Sequence, residues 1–74
     1  MDFSYDKKMG AKIRELRLKS GMTQEMLSAK LQLQGCDISR GGLSKIEIGT
    51  RHIYAVEIKA FKNIFDVPYE DLFV

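Results

Sequence analysis

Apolar residues recur along the chain at intervals of three and four, which is the spacing of one face of an α-helix. The first such segment covers about residues 7–19, and its apolar positions are Met9, Ile13 and Leu16. Asp6 is placed to cap its start, and Gly21 follows its end. No stretch alternates apolar and polar residues with the period of two that indicates a strand. The pattern therefore predicts an all-α fold.

A second helix has the sharpest start signal. Thr23 is a good N-cap residue, and Met22 and Leu27 occupy the positions of a hydrophobic staple. Beyond them, Leu31 and Leu33 continue the apolar series. We therefore expect the second helix to begin after Thr23, with Leu27, Leu31 and Leu33 on its buried face.

Two more helices and a final turn are predicted from the rest of the chain. Ser39 offers the N-cap of a third helix, and Gly49 supplies a residue that tolerates the left-handed conformation at its end. A fourth helix fits about residues 55–65, and Pro68 is placed to open a last helical turn. The residues expected to face inward are Leu43, Ile46, Ile58, Phe61, Ile64 and Phe65. Five short helices in one bundle result.

Length and composition limit the possible functions. Seventy-four residues, 45% hydrophobic and 30% charged, are typical of one small soluble domain, so we expect residues 1–74 to form a single domain. No apolar run approaches the roughly 18 residues that cross a bilayer. The single cysteine, Cys36, suits a reducing compartment, so we expect a cytoplasmic protein. One histidine, one cysteine and no phosphate-binding glycine loop predict neither an enzyme active site nor a metal or cofactor site.

Positive charge is concentrated in the first two-thirds of the chain. Residues 1–51 contain ten Lys or Arg against six Asp or Glu, whereas residues 52–74 contain two against four. A polyanion would therefore be met by the N-terminal part of the chain.

Three segments carry a family resemblance: IRELRLKSGMTQEML (13–27), ISRGGLSKIEIGTR (38–51) and FDVPYEDLF (65–73). Together they resemble the Cro/CI-type helix-turn-helix family of phage and bacterial regulators, also called XRE-like or lambda-repressor-like. The resemblance implies a compact five-helix bundle in which the second and third helices form the helix-turn-helix. It also implies a sequence-specific DNA-binding transcriptional regulator, with repression as the expected activity.

The same resemblance assigns roles to individual residues. In that family the second helix lies on the phosphate backbone and the third enters the major groove. The implied base-reading residues are Arg40, Gly41, Ser44 and Lys45. The implied phosphate contacts are Thr23, Gln24, Ser39, Thr50 and Arg51. Arg17 and Glu47 are assigned to a structural ion pair that orients the third helix.

A homodimer on double-stranded DNA is a further expectation from the resemblance. Relatives commonly bind near-palindromic sites as dimers, with reading helices one DNA turn, about 34 Å, apart. The residues expected to form such a contact are Tyr69, Phe73 and Val74, because so small a core should not reach all of them.

Three features depart from the family pattern. The connection between Leu31 and Ile38 is longer than the usual short turn, so either the second helix is longer or the turn is an irregular loop. Gly41 stands where relatives often place a long polar side chain, so it either lets the backbone approach the bases or contributes nothing. Ile48 stands where a polar residue often contacts phosphate. These departures leave open a second function, a protein-interaction module such as an antitoxin-like or regulatory subunit on the same scaffold.

Overall fold

The computed structural model describes residues 4–73 and contains only helical elements in that range. They are α1 (Ser4–Lys19), α2 (Gln24–Leu33), α3 (Arg40–Ile48), α4 (Ala55–Phe65) and a 3-10 helix (Tyr69–Asp71). The all-α prediction is confirmed. The count of five helices is not, because the last element is a 3-10 turn of three residues. None of the helices described is both long and apolar enough to cross a membrane.

The caps of α2 and α3 form as the local sequence predicts. The Thr23 hydroxyl accepts a hydrogen bond from the Met26 amide at 3.1 Å, and the Ser39 hydroxyl accepts one from the Gly42 amide at 3.1 Å. Each cap satisfies an amide that has no partner within its helix. Gly49 ends α3 with φ of 83°, a left-handed conformation that favours glycine.

The start of α1 differs from the prediction. The helix begins at Ser4, and Asp6 lies within its first turn instead of capping it. The Asp6 carboxylate instead accepts a hydrogen bond from the Ile53 amide at 3.4 Å and lies 3.2 Å from His52 Nδ1. Asp6 therefore links the beginning of α1 to the loop between α3 and α4.

One hydrophobic core receives side chains from all four α-helices and from the C-terminal segment. Its largest fully buried members are Ile13, Leu27, Leu31, Leu43, Ile46, Phe61 and Leu72. Ile58, Ile64 and Phe65 pack against this core while partly exposed. Leu33 was predicted to face inward, but it is 88% exposed, so that prediction is wrong.

Helices α1 and α3 approach so closely that glycine is required between them. A Cβ atom at Gly10 would lie 1.9 Å from the Ile46 carbonyl oxygen, and a Cβ at Gly49 would lie 2.7 Å from Lys7 Cα. Neither backbone neighbour can rotate away. The pose of α3 is therefore set by direct backbone packing against α1.

The connection between α2 and α3 combines both alternatives left open by the sequence. Helix α2 continues through Leu33, and residues 34–39 then form a loop in which Gly35 has φ of 84°. Ile38 is buried in the core, and its carbonyl accepts a hydrogen bond from the Ser28 hydroxyl. The longer connection is thus anchored to α2 just before α3 begins.

Candidate nucleic-acid interface

Helix α3 divides its residues between two sides. Leu43 and Ile46 are fully buried in the core. On its exposed side lies a shallow cleft of about 300 Å³, lined by Gln24, Arg40, Gly41 and Ser44. We call Arg40, Gly41, Ser44 and Lys45, the four residues that the resemblance predicts to contact bases, the reading face. Three of its four residues therefore share one cleft with the start of α2.

The two cations of the reading face are available to a ligand. The Arg40 side chain is 68% exposed, and its Nη1 lies 3.7 Å from Glu25 Oε1. That separation is too long for a hydrogen bond, and a surface ion pair of this kind contributes at most about 1 kcal/mol. Lys45 is exposed, and its ammonium makes no ion pair with any residue in 4–73.

The polar residues expected to contact phosphates differ in their exposure and in the hydrogen bonds that they already make. Thr23 and Ser39 are exposed, but their hydroxyls already accept hydrogen bonds as helix caps. The Thr50 hydroxyl is exposed and lies 3.4 Å from the Lys45 carbonyl oxygen, to which it donates. Gln24 is half-buried, and its amide nitrogen donates to Glu47 Oε1 at 3.2 Å. Gln24 thus touches both the cleft and the interior of the domain.

Arg51 is engaged in an internal ion pair. Its Nη1 and Nη2 atoms donate to the two carboxylate oxygens of Glu57, each at 2.9 Å, and Nη1 also donates to the His52 carbonyl. A phosphate at Arg51 would have to compete with this two-pronged pair.

Glu57 is a buried charge that the sequence analysis missed. Burial raises the pKa of its carboxyl, but hydrogen bonds from Arg51 and the Tyr54 amide, together with the Arg51 and His52 charges, leave that pKa below its ordinary value. The carboxylate accepts from the Tyr54 amide at 2.9 Å, which is one half of a capping box at the start of α4. Because tyrosine is not one of the usual N-cap residues, the sequence carried no clear signal for this contact.

Arg17 and Glu47 form a buried, two-pronged ion pair. Arg17 Nε donates to Glu47 Oε2 at 2.8 Å, and Nη2 donates to Oε1 at 3.0 Å. Nη1 donates to the Met22 carbonyl at 2.9 Å. The hydrogen bond with Glu47 raises the pKa of Arg17 above its ordinary value against the effect of burial. Together with the Gln24 contact, this pair joins the end of α1, the start of α2 and the end of α3.

Comparison with known proteins identifies this arrangement. A family model described as helix-turn-helix matches residues 13–72. The chain belongs to the XRE-type helix-turn-helix family. In this family's terms α2 and α3 are the two helices of the motif. The membership makes the protein a DNA-binding regulator of transcription.

Two solved structures share this helix-turn-helix fold. The restriction-modification controller protein C.AhdI from Aeromonas hydrophila is 29% identical, with a TM-score of 0.77 over 92% of this chain and 96% of that chain. The DNA-binding domain of BldD is 23% identical, with a TM-score of 0.80 over the full length of both chains. No protein of curated function matches the sequence.

The C-terminal part of this helix-turn-helix domain exposes aromatic side chains. Tyr69 is 42% exposed and lies under the Lys62 ammonium, 5.4 Å from the ring centroid. Phe73 is 51% exposed and lines a cleft shared with Tyr5 and Ile58. Val74, the third residue expected at a dimer contact, lies outside the described residues. In residues 4–73 no group of three or more His, Cys, Asp and Glu residues is placed to hold a metal ion.

Proposed function

We propose that the protein represses transcription by binding a specific double-stranded DNA sequence with α3 in the major groove. The observation that carries the proposal is the reading face, where two exposed cations stand on a helix whose opposite side is fully buried. A helix of about 10–12 Å diameter matches the width of the major groove.

Base recognition is assigned to the reading face. The Arg40 guanidinium is suited to donate two hydrogen bonds to guanine O6 and N7, and the Lys45 ammonium is suited to the same acceptors. Ser44 is half-buried beside them and contributes a hydroxyl that donates or accepts. Apart from its chain neighbours and the nearby backbone of α3, the nearest atom to a Cβ placed at Gly41 is Ser39 Oγ at 3.9 Å, so this position is open to close approach by a base.

Phosphate binding is assigned to the start of α2 and to the two ends of α3. The N-terminus of α2 carries unpaired amides and a partial positive charge that favour a phosphate oxygen. Thr23 and Gln24 stand at this position, Ser39 caps the start of α3, and Thr50 follows its end. Arg51 can contact a phosphate only if the phosphate replaces Glu57 as the acceptor of at least one Arg51 hydrogen bond.

The active species in this proposal is a cytoplasmic homodimer on a near-palindromic site, in which residues 1–74 of each subunit form one domain. Exposed Tyr69 and Phe73 lie one helical turn apart, since the Phe73 amide donates to the Tyr69 carbonyl at 3.2 Å. We assign the contact to these two residues together with Val74, which follows Phe73 in the sequence. Sedimentation of the protein, free and with DNA, tests the pairing: a monomer in both conditions would exclude it.

Selection of bound duplexes from a random library tests the DNA-binding proposal. We expect a selected duplex whose affinity falls steeply between about 50 and 200 mM salt. Replacing Arg40 or Lys45 by alanine should lower discrimination at one base position by about 1–3 kcal/mol. The matched control is Lys59→Ala, an exposed cation on α4, which should leave the base preference unchanged. Failure to select any duplex at low salt would refute the proposal.

Two strongly exposed aliphatic side chains favour a second candidate, a protein-interaction module on the same scaffold. They are Leu33 on α2 and Val56 on α4. In that case the Arg40→Ala, Lys45→Ala double variant would keep full regulatory activity in cells, whereas a Leu33→Ser variant would lose it.

A further inference from the structure

Glu25 is a charged residue beside the reading face that the proposed function does not use. It lies in the first turn of α2, its side chain is 73% exposed, and its Oε1 atom is 3.7 Å from Arg40 Nη1. Among the ion pairs of residues 4–73, the Arg40–Glu25 pair is the one that includes a cation of the reading face. A carboxylate at that place affects what Arg40 binds.

A carboxylate close to the phosphate backbone of DNA acts against binding. It repels phosphate, and it competes with phosphate for the neighbouring guanidinium. The N-terminus of α2 does favour an acidic residue, by roughly 0.3–1 kcal/mol. That contribution concerns the folded domain alone, and it does not depend on the DNA sequence. A role in recognition is therefore separable by experiment from a role in helix stability.

We propose that Glu25 is a positioning residue that increases the specificity of Arg40, an inference that rests on the proposed function. Arginine has five N–H donors, so the guanidinium can bind two acceptors of guanine on one edge while another donor still faces the Glu25 carboxylate. On non-specific DNA the nearest acceptor of Arg40 is a phosphate, and Glu25 opposes that contact. Glu25 thus weakens non-specific binding more than specific binding.

The test uses the duplex selected by the wild-type protein and a duplex of equal length with the selected bases scrambled. For Glu25→Gln we expect affinity for the scrambled duplex to rise on the order of threefold, the range of an exposed ion pair. Affinity for the selected duplex should stay constant or fall, so the specificity ratio drops. The matched control is Glu70→Gln, which makes the same change of charge on the exposed C-terminal turn and should leave the ratio unchanged.

A second variant separates positioning from general repulsion. If Glu25 acts through Arg40, adding Glu25→Gln to an Arg40→Ala protein will not change the specificity ratio any further. A ratio that still drops in the Arg40→Ala background, or that drops equally in Glu70→Gln, would overturn the inference. So would an unchanged ratio in Glu25→Gln. Absence of any selected duplex for the wild-type protein would instead refute the proposed function itself, and thermal unfolding of each variant reports the separate effect on α2.

Discussion

Replacing a helix glycine by alanine should have opposite effects at two positions of this domain. Gly10 lies inside α1 and Gly41 inside α3, so both substitutions gain helix propensity of up to about 1 kcal/mol. The surroundings of the added methyl group differ. At Gly10 it would lie 1.9 Å from the Ile46 carbonyl oxygen, whereas at Gly41 the nearest atom is Ser39 Oγ at 3.9 Å.

The magnitude follows from these distances. A contact of at least about 3 Å requires α1 and α3 to separate by roughly 1 Å at Gly10, and overpacking of this kind costs about 1–3 kcal/mol or more. The separation also strains the Arg17–Glu47 pair, whose hydrogen bonds span the same two helices. We therefore expect Gly10→Ala to lose about 2 kcal/mol or more of unfolding free energy, and Gly41→Ala to gain up to about 1 kcal/mol.

Thermal unfolding followed by circular dichroism measures both effects. In a domain of this size 1 kcal/mol shifts Tm by about 4–8 °C, so the two variants should fall on opposite sides of the wild-type protein. A Gly10→Ala protein at least as stable as wild type would refute the packing argument. Gly41→Ala also decides between the two roles considered for this glycine. Raised stability with weaker binding to the selected duplex indicates close backbone approach, and unchanged binding indicates that Gly41 contributes nothing.

Three further predictions concern the polar contacts. Glu47→Ala leaves the Arg17 guanidinium buried without its partner, at a cost of about 3–5 kcal/mol, so its circular dichroism melt should show no cooperative transition at growth temperature or above. Because the pKa of Glu57 is lowered in the folded state, its stabilising effect is fully present above its ordinary pKa near 4.5 and is lost as pH falls through the lower folded value. Urea unfolding measured across that acidic range should therefore show that the unfolding free energy falls more steeply with decreasing pH in the wild type than in Glu57→Gln. Ser39→Ala removes the N-cap of α3 and should cost about 1 kcal/mol, measured as a fall in Tm.

Each of these has a control and a contrary result. For the buried pair the control is Arg17→Met with Glu47→Leu, which removes both charges and should fold; a stable Glu47→Ala protein would contradict the pair's structural role. If the unfolding free energies of wild type and Glu57→Gln fell equally with decreasing pH, the Glu57 carboxylate would not be the group that causes the loss of stability in acid. Ser39→Asp, which keeps a capping acceptor, should retain stability.

Local chemistry made part of the fold predictable. Thr23, Ser39 and Gly49 act on residues three or four positions away, so their roles as caps were readable from the sequence. The periodicity of the α-helix could likewise have excluded Leu33 from the core. It lies two residues beyond Leu31, about 200° around the helix, and therefore on the opposite side.

Contacts between distant segments could not be predicted in the same way. The need for glycine at position 10 depends on how closely α1 packs on α3, which no local pattern records. The site shows the same division. That α3 exposes Arg40 and Lys45 was implied by the family resemblance, whereas the pairing of Arg51 with Glu57 depends on where the loop after α3 meets α4.

The exposure of the reading face has an evolutionary consequence. Arg40, Gly41 and Lys45 fill no space in the interior, so exchanging them disturbs the scaffold little. Under the proposed base-reading role of these residues, duplicated copies of such a gene would acquire new DNA targets through a small number of surface substitutions. The glycine and the buried charges that hold α3 in place would meanwhile be kept, and related regulators in one cell could diverge in target while remaining alike in architecture.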